Sequence, residues 1–379
     1  MTKSIAIFAS AFHPSLGGVE ELCRQLAHAY RRLGREAIII TQRWPRDLPS
    51  YEDFEGIPLY RLPFRVPEGS LKANVSYRLT HTKIVTEMFA ILKKHKVELL
   101  HTQCVSHNAL YAQIAQRELR LPYVLTTQGE RTMDSNQVFE KSELMKRILR
   151  EGLKSANWIT GCSRDTLDDV QQWYGESFAD RSSVVYNGIS LKDFEGVTPY
   201  AHPRPYILGI GRHVPQKGFD VLLRAYKKAG IPDLDLILAG DGTSHAELRS
   251  WVQAQGLQNR VFLPGRADRS KTVSLFAGCL FFVLPSRLEP QGIVNLEAMA
   301  SGKAIIASRT GGVPEIVLEN EAGLLVSSGD EEALADAIKR LATDEALRLR
   351  LGKKGRVLSE AFDWTAIAEN YLEIYRRIG

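Results

Sequence analysis

Short apolar runs alternate with amphipathic stretches along almost the whole chain. Residues 4–11 are compactly apolar and lead into a turn holding Gly17 and Gly18. Residues 19–33 then carry apolar side chains at Val19, Leu22, Cys23, Leu26, Ala29 and Tyr30, the 3.6-residue spacing of a helix with one buried face. Gly34 predicts the end of that helix and 37–41 a second buried strand, a β-α-β order that makes the strands parallel. The proline-bearing stretch 44–67 reads as loop or edge hairpin. Helical patterns over 77–94 and 109–120 flank a strand at 98–102, and 123–127, 144–155, 158–162 and 164–174 continue the alternation. After a strand at 183–186, residues 198–205 are weakly patterned and read as a linker.

The alternation then restarts, with strand 206–210, loop 211–218, helix 219–229, strand 234–239, helix 246–255 and strand 261–263. Helix 271–277, strand 280–284 and a helix-like run over 292–301 follow, and helices at 334–341, 345–362 and 365–378 close the chain. The fold class expected is α/β, two Rossmann-like doubly wound parallel-sheet domains over 1–187 and 188–363. Such domains facing one another leave a cleft where ligands meet the carboxyl ends of the strands.

Composition changes this picture little. A chain of 379 residues exceeds one typical core, and 44% apolar with 25% charged residues is ordinary for a globular protein. The net charge of +5 includes no basic arm, so nucleic acid is not an expected partner. The four cysteines are widely spaced without C-x-x-C, which argues against zinc and against a disulfide framework and favours a reducing cytoplasm. The first apolar run is too short for a leader, and no run is long enough to span a bilayer. Any membrane contact is expected to be peripheral, at the inner face. Lys93, Lys94 and Lys96, and the run 144–150, are the candidates for anionic lipid, although solvated helix surfaces explain them more simply.

The densest chemistry lies in 286–315. Glu289 and Glu297 bracket a helix start near Gly292, and on one ideal helix they would stand about 12 Å apart. Unpaired N–H groups of that helix start suit an anion. A polar end, an anionic middle and a second polar end describe a nucleotide-sugar, with Glu297 assigned to the ribose and Glu289 to the sugar ring. In the turn from Gly211 to Gly218, Arg212 and Lys217 can converge on a diphosphate, and a solvated basic loop explains them equally well. Gly17 and Gly18 permit close approach to a phosphate; tight strand-to-helix packing is the competing explanation. His13, His101 and His107 lack metal-ligand spacing. Gly161-Cys162-Ser163 is no nucleophile elbow, because Asp165 stands where the second glycine would be.

In their order and spacing these pieces resemble the retaining glycosyltransferases of family 4, which have the two-domain GT-B fold. The pieces are Gly17-Gly18-Val19-Glu20, Val184 to Ile189, Gly211-Arg212 with Lys217-Gly218, and Gly240-Asp241-Gly242. Phe262 to Arg266, the glutamate pair, Glu297 to Gly302 and Gly311 to Glu315 complete the set. The resemblance implies that the second domain holds the nucleotide. Arg212 and Lys217, with Gly211, would face the diphosphate, and Arg266 would meet the base largely through its backbone. Glu297 would take the ribose, Glu289 the donor sugar, and Gln291, Gly292, Ile293 and Val294 the sugar and phosphates. It also implies that the last helix, 364–379, packs back on the first domain.

Gln128 stands where the family most often has a histidine beside the donor sugar. It keeps hydrogen bonding but is no acid or base near neutral pH. Ser190 replaces an aspartate, and Pro290-Gln291-Gly292 replaces the more usual Gly-Phe-Gly. The implied reaction is retaining transfer of a hexose from a nucleotide diphosphate-sugar to an alcohol acceptor, without metal or other cofactor. UDP-glucose is the leading donor and a GDP-sugar the next. The acceptor is a sugar, a glycan or a lipid-linked sugar in polysaccharide or glycolipid synthesis, shaped by 44–74 and 129–143. A nucleotide-sugar epimerase and a non-catalytic nucleotide-sugar-binding subunit are the alternatives.

Overall fold

The computed structural model of the chain describes residues 4–15, 17–67, 71–132 and 137–379. Leu16 of the first glycine turn, and 68–70 and 133–136 within or beside the segments expected to shape an acceptor site, lie outside them. The chain divides into two compact units, Met1–Asn187 with Trp364–Gly379, and Gly188–Asp363.

The first unit is built on an eight-stranded sheet. Its strands are β1 (Ser4–Ala9), β2 (Glu36–Gln42), β3 (Tyr51–Phe54), β4 (Ile57–Leu62), β5 (Val97–Gln103), β6 (Tyr123–Thr127), β7 (Trp158–Gly161) and β8 (Ser182–Val184). They lie in the order β3-β4-β2-β1-β5-β6-β7-β8, so the winding reverses between β1 and β5. All six residues of β1 are buried, as a central strand covered on both faces requires. Helix Gly18–Arg32 has Glu20 and Glu21 in its first turn and Arg31 and Arg32 in its last, each facing the favourable end of the helix dipole.

Loop or edge hairpin is only half right for 44–67. The hairpin exists, and β3 is its antiparallel edge strand, but β4 is an interior strand paired in parallel with β2. Ile57, Leu59 and Leu62 are buried there, together with Arg61, whose guanidinium bonds the His13 carbonyl at 2.9 Å and Glu52 at 2.8 Å. Prolines at 58 and 63 mask this strand in the sequence. The helix expected at 77–94 begins earlier, as Leu71–Lys94.

Helix Trp364–Ile378 packs within the first unit. Tyr375 Oη lies 2.5 Å from Tyr30 Oη and 2.6 Å from His101 Nδ1. These aromatic hydroxyls give a polar layer its partners inside an apolar interface.

The second unit holds a six-stranded parallel sheet of β9 (Tyr206–Ile210), β10 (Asp235–Ala239), β11 (Val261–Gly265), β12 (Phe281–Leu284), β13 (Ile305–Ser308) and β14 (Gly323–Val326). Their order is β11-β10-β9-β12-β13-β14, and the winding reverses between β9 and β12. The short β14 carries too little pattern to be seen in the sequence.

The linker reading of 198–205 does not hold either. Tyr200 N donates to the Ser274 carbonyl at 2.9 Å, and His202 and Arg204 reach the buried Asp235 at 2.9 and 3.0 Å. Burial works against the Asp235 charge, but hydrogen bonds from Arg204, His202 and Arg260 outweigh it and hold this carboxyl below its ordinary range. The segment is thus fastened to the second unit by ion pairs that have no apolar period to announce them. Entry and exit of this unit also meet, since Ile189 N donates to the Phe362 carbonyl at 2.8 Å.

Candidate active site

In an open doubly wound sheet the ligand crevice forms where the strand order reverses. In the second unit that point is the carboxyl ends of β9 and β12. The loop leaving β9 ends at Gly218, whose φ of +66° is left-handed; a Cβ there would sit 2.2 Å from the Pro285 carbonyl oxygen. Only glycine lets this turn press against the exit of β12. The contact is then sealed by hydrogen bonds from Arg287 N and Leu288 N to the Gln216 carbonyl, at 2.7 and 3.2 Å. The Arg287 guanidinium adds bonds to the Pro215 carbonyl at 2.8 Å and to Asp220 at 2.7 Å.

That docking brings Lys217 and Glu289, 72 positions apart, into an ion pair of 2.5 Å. Ser286 Oγ donates to the same Glu289 oxygen at 2.9 Å. The two side chains are only 12% and 7% exposed, so the charges meet where water screens them little. Lys217, expected at a diphosphate, and Glu289, expected at a sugar ring, thus meet as one buried pair.

Glu289 lies on the loop before helix Ile293–Ala300 and not on it, so the ideal-helix spacing to Glu297 does not apply. Gly292, with φ of +88°, starts that helix, and the amides of Ile293 and Val294 belong to the first-turn donors that a helix leaves unpaired. Gln291 is buried. Gly312 N donates to the Glu289 and Pro290 carbonyls, both at 3.2 Å, which fixes the loop from behind.

A second layer of glycines holds the β9 loop. Gly240 adopts φ of +138°, and a Cβ on it would lie 1.8 Å from the Gly211 carbonyl oxygen. Gly242 approaches the His213 carbonyl almost as closely. His213 N donates to the Asp241 carbonyl at 2.9 Å, and Gly240 N donates to the Gly265 carbonyl at 2.8 Å. The three loops carrying Arg212, Asp241 and Arg266 therefore form one backbone-bonded layer. Arg212 is exposed, and its guanidinium has no hydrogen bond or ion pair among the described residues. Arg266 is 82% exposed, with Asp241 4.0 Å away.

Glu297, 13% exposed, is held by Arg269, which also grips Asp193 at 2.7 Å. Sequence reasoning missed Arg269, Ser286 and Gln216. The capping aspartate Asp268, which accepts from Lys271 N at 2.7 Å, was the signal that the helix begins before 271 and that Arg269 lies on its first turn.

The buried His213 sits beneath this layer, with Nδ1 2.9 Å from His245 Nδ1. Arg249 donates to His245 Nε2 at 3.2 Å, so the His245 proton is on Nδ1 and the His213 proton on Nε2. Burial and the His245 ring push His213 down to about 4, against the pull of Asp241, and burial alone drives His101 down to about 3. Both are depressed from 6.5, so folding favours the neutral rings and the unfolded chain takes up these protons first as pH falls. Their contribution to stability is therefore full above about pH 6.5 and declines toward about pH 4. The melting temperature should fall between about pH 7 and about pH 5, and less steeply in His213→Asn. A flat profile over that range would contradict the assignment.

The first unit has its own reversal point at β1 and β5. Gly17 is extended, and a Cβ on it would stand 2.5 Å from a Glu20 carboxylate oxygen, whereas a Cβ on Gly18 would meet nothing within 4 Å. Gln128 Nε2 donates to Asn187 Oδ1 and Gln103 Oε1, both at 3.1 Å, and Asn187 Nδ2 returns a bond to Gln128 Oε1 at 2.9 Å. Glu130 accepts from Gln128 N at 2.8 Å and Val105 N at 2.6 Å; burial still pushes its carboxyl above the ordinary range.

The described residues thus form two doubly wound α/β units, the second with a buried Lys-Glu pair and a helix start at its reversal point. Comparison with known families makes this specific. The description "Glycosyl transferase 4-like domain" matches 17–188 and "Glycosyl transferases group 1" matches 194–358. Alpha-maltose-1-phosphate synthase of Mycolicibacterium smegmatis is 32% identical over 299 residues, 72% of this chain and 77% of that protein. An uncharacterized glycosyltransferase of Methanocaldococcus jannaschii is 26% identical over 98% of both chains. Among solved structures, sucrose-phosphate synthase from Thermosynechococcus elongatus superposes with a TM-score of 0.78 at 26% identity, covering 99% of this chain and 98% of that one. Anabaena HepE, solved with UDP and glucose, gives 0.76 at 21% identity over 99% of both and speaks for the fold alone. The chain belongs to the group 1 glycosyltransferases, of the family 4 type with the GT-B fold.

Proposed function

We propose that this glycosyltransferase moves a hexose, with retention at the anomeric carbon, from a nucleotide diphosphate-sugar to an alcohol acceptor. The observation that carries the reading is the Lys217–Glu289 pair beside the start of helix Ile293–Ala300. Lys217 and Arg212, with the amides of Ile293 and Val294, oppose the charge that grows on the departing diphosphate. Glu289 receives the donor sugar, Glu297 the ribose, and the backbone at Arg266 the base. No carboxylate is placed as a covalent nucleophile in this scheme: the acceptor attacks from the face the diphosphate leaves, and its proton passes to that leaving group.

UDP-glucose is the proposed donor, with a GDP-sugar the next candidate. The acceptor is a sugar, a glycan or a lipid-linked sugar, handled in the cytoplasm or at the inner face of the membrane. Among the described residues no helix is long and apolar enough to cross a membrane. With cations and helix amides as the electrophilic groups, the reaction runs without a divalent ion.

Purified protein incubated with UDP- and GDP-sugars should release the nucleoside diphosphate in an acceptor-dependent way that persists in excess EDTA. Donor converted with no acceptor present would mark an epimerase. Binding without turnover on any acceptor would mark a non-catalytic subunit, and loss in EDTA restored by magnesium would remove the metal-free mechanism.

A further inference from the structure

We propose that Arg269 both orients Glu297 and donates to the ribose, and so sets how the ribose is read, an inference that rests on the assignment of Glu297 to the ribose. Arg269 lies on the first turn of helix Arg269–Gly278. Its Nε and Nη2 bond Asp193 Oδ2 at 2.9 and 2.7 Å, and its Nη1 bonds Glu297 Oε1. Asp193 is itself fixed, since Ser190 Oγ donates to its other oxygen at 2.7 Å. The guanidinium carbon stands 5.0 Å from the centre of the Phe194 ring, which supports its plane. Burial opposes the Arg269 charge, but Glu297 and Asp193 outweigh it and push its pKa up, so the group is a permanent cation.

The rigid fork has two consequences. It holds the plane of the Glu297 carboxylate, so part of the entropic cost of orienting that carboxylate is met before the nucleotide arrives. It also places Nη hydrogens beside carboxylate oxygens. A carboxylate offers about four acceptor sites and a guanidinium five donors, so the pair presents an acceptor and a donor side by side. A ribose diol has the complementary arrangement: one hydroxyl donates to Glu297 while the oxygen of its neighbour accepts from Arg269. The site therefore distinguishes a ribonucleotide from its 2′-deoxy counterpart through both residues. A lysine in place of Arg269 keeps the charge but not the fork.

The test is titration calorimetry with UDP, GDP and ADP and their 2′-deoxy forms, on wild type, Arg269→Gln, Arg269→Lys and Glu297→Ala. Wild type should prefer the ribonucleotide of the pair it binds best. Both Arg269 variants should lose about tenfold in affinity for it and most of that preference, as for a hydrogen bond to a charged group. In turnover, KM should rise with kcat retained, the sign of lost uniform binding. The preference is a ratio read within one preparation, so partial unfolding cannot imitate its loss.

If Glu297→Ala binds nucleotide as wild type does, the ribose assignment itself fails. If Glu297→Ala weakens binding while both Arg269 variants keep affinity and preference, Arg269 is a structural ion pair and only this proposal fails. Tighter binding in Arg269→Gln would also overturn it, showing that Arg269 competes with the ribose for Glu297.

Discussion

Lys217→Ala is expected to lower kcat by about two to three orders of magnitude, the loss typical of removing one preorganised group that faces developing charge. The same change should also destabilise the second unit. Glu289 would keep Ser286 as a partner but would lose the cation 2.5 Å away, and removing one member of a buried pair costs about 3–5 kcal/mol. The two effects separate in a cycle of Lys217→Met, Glu289→Gln and the double variant. Stability should be strongly non-additive, with the double variant less impaired than the sum of the singles, because coupling in such contacts reaches about 0.5–3 kcal/mol. Activity should not recover in the double variant, because the cation proposed to face the diphosphate is still absent. Additive stabilities would mean that the two side chains do not interact, and a kcat of Lys217→Ala near wild type would remove the leaving-group role.

A single methyl group at Gly240 should be nearly as damaging. A Cβ there would stand 1.8 Å from the Gly211 carbonyl oxygen, backbone against backbone, at a φ of +138° that other residues rarely adopt. Unlike a clash with a flexible side chain, this one has no local escape. The layer carrying Arg212, Asp241 and Arg266 would have to separate. Gly240→Ala should cost on the order of 3–5 kcal/mol and lower the melting temperature of the second unit by about 10 °C or more. Nucleotide binding should be lost even where the unit remains folded. Gly256→Ala is the control, because its φ of +67° is also left-handed but a Cβ there meets nothing within 4 Å. Equal melting temperatures for the two variants would show that close approach at Gly240 is not what the fold requires.

Much of this architecture is legible in order along the chain. The alternation of apolar runs and amphipathic helices specifies two parallel sheets, and strands such as 123–127 and 206–210 coincide with β6 and β9 because a fully buried strand is a short continuous apolar run. The elements that escaped have specific reasons. β4 is interrupted by proline, and 198–205 is fastened by ion pairs to Asp235 that leave no periodic trace.

The stretch holding Glu289 and Glu297 also stood out in sequence, because two carboxylates flank a glycine that can begin a helix. What they touch did not. Lys217 meets Glu289 only because Gly218 has no side chain to hold the β9 loop away from Pro285, and Arg269 meets Glu297 only because helix Arg269–Gly278 packs beside helix Ile293–Ala300. The sequence by itself determined the class of fold, the family and the residue types available for binding, since periodicity, glycine positions and motif spacing are local. Which charge neutralises which was decided by the tertiary structure, because ion pairs form between loops brought together at a strand-order reversal, and no local pattern encodes that distance.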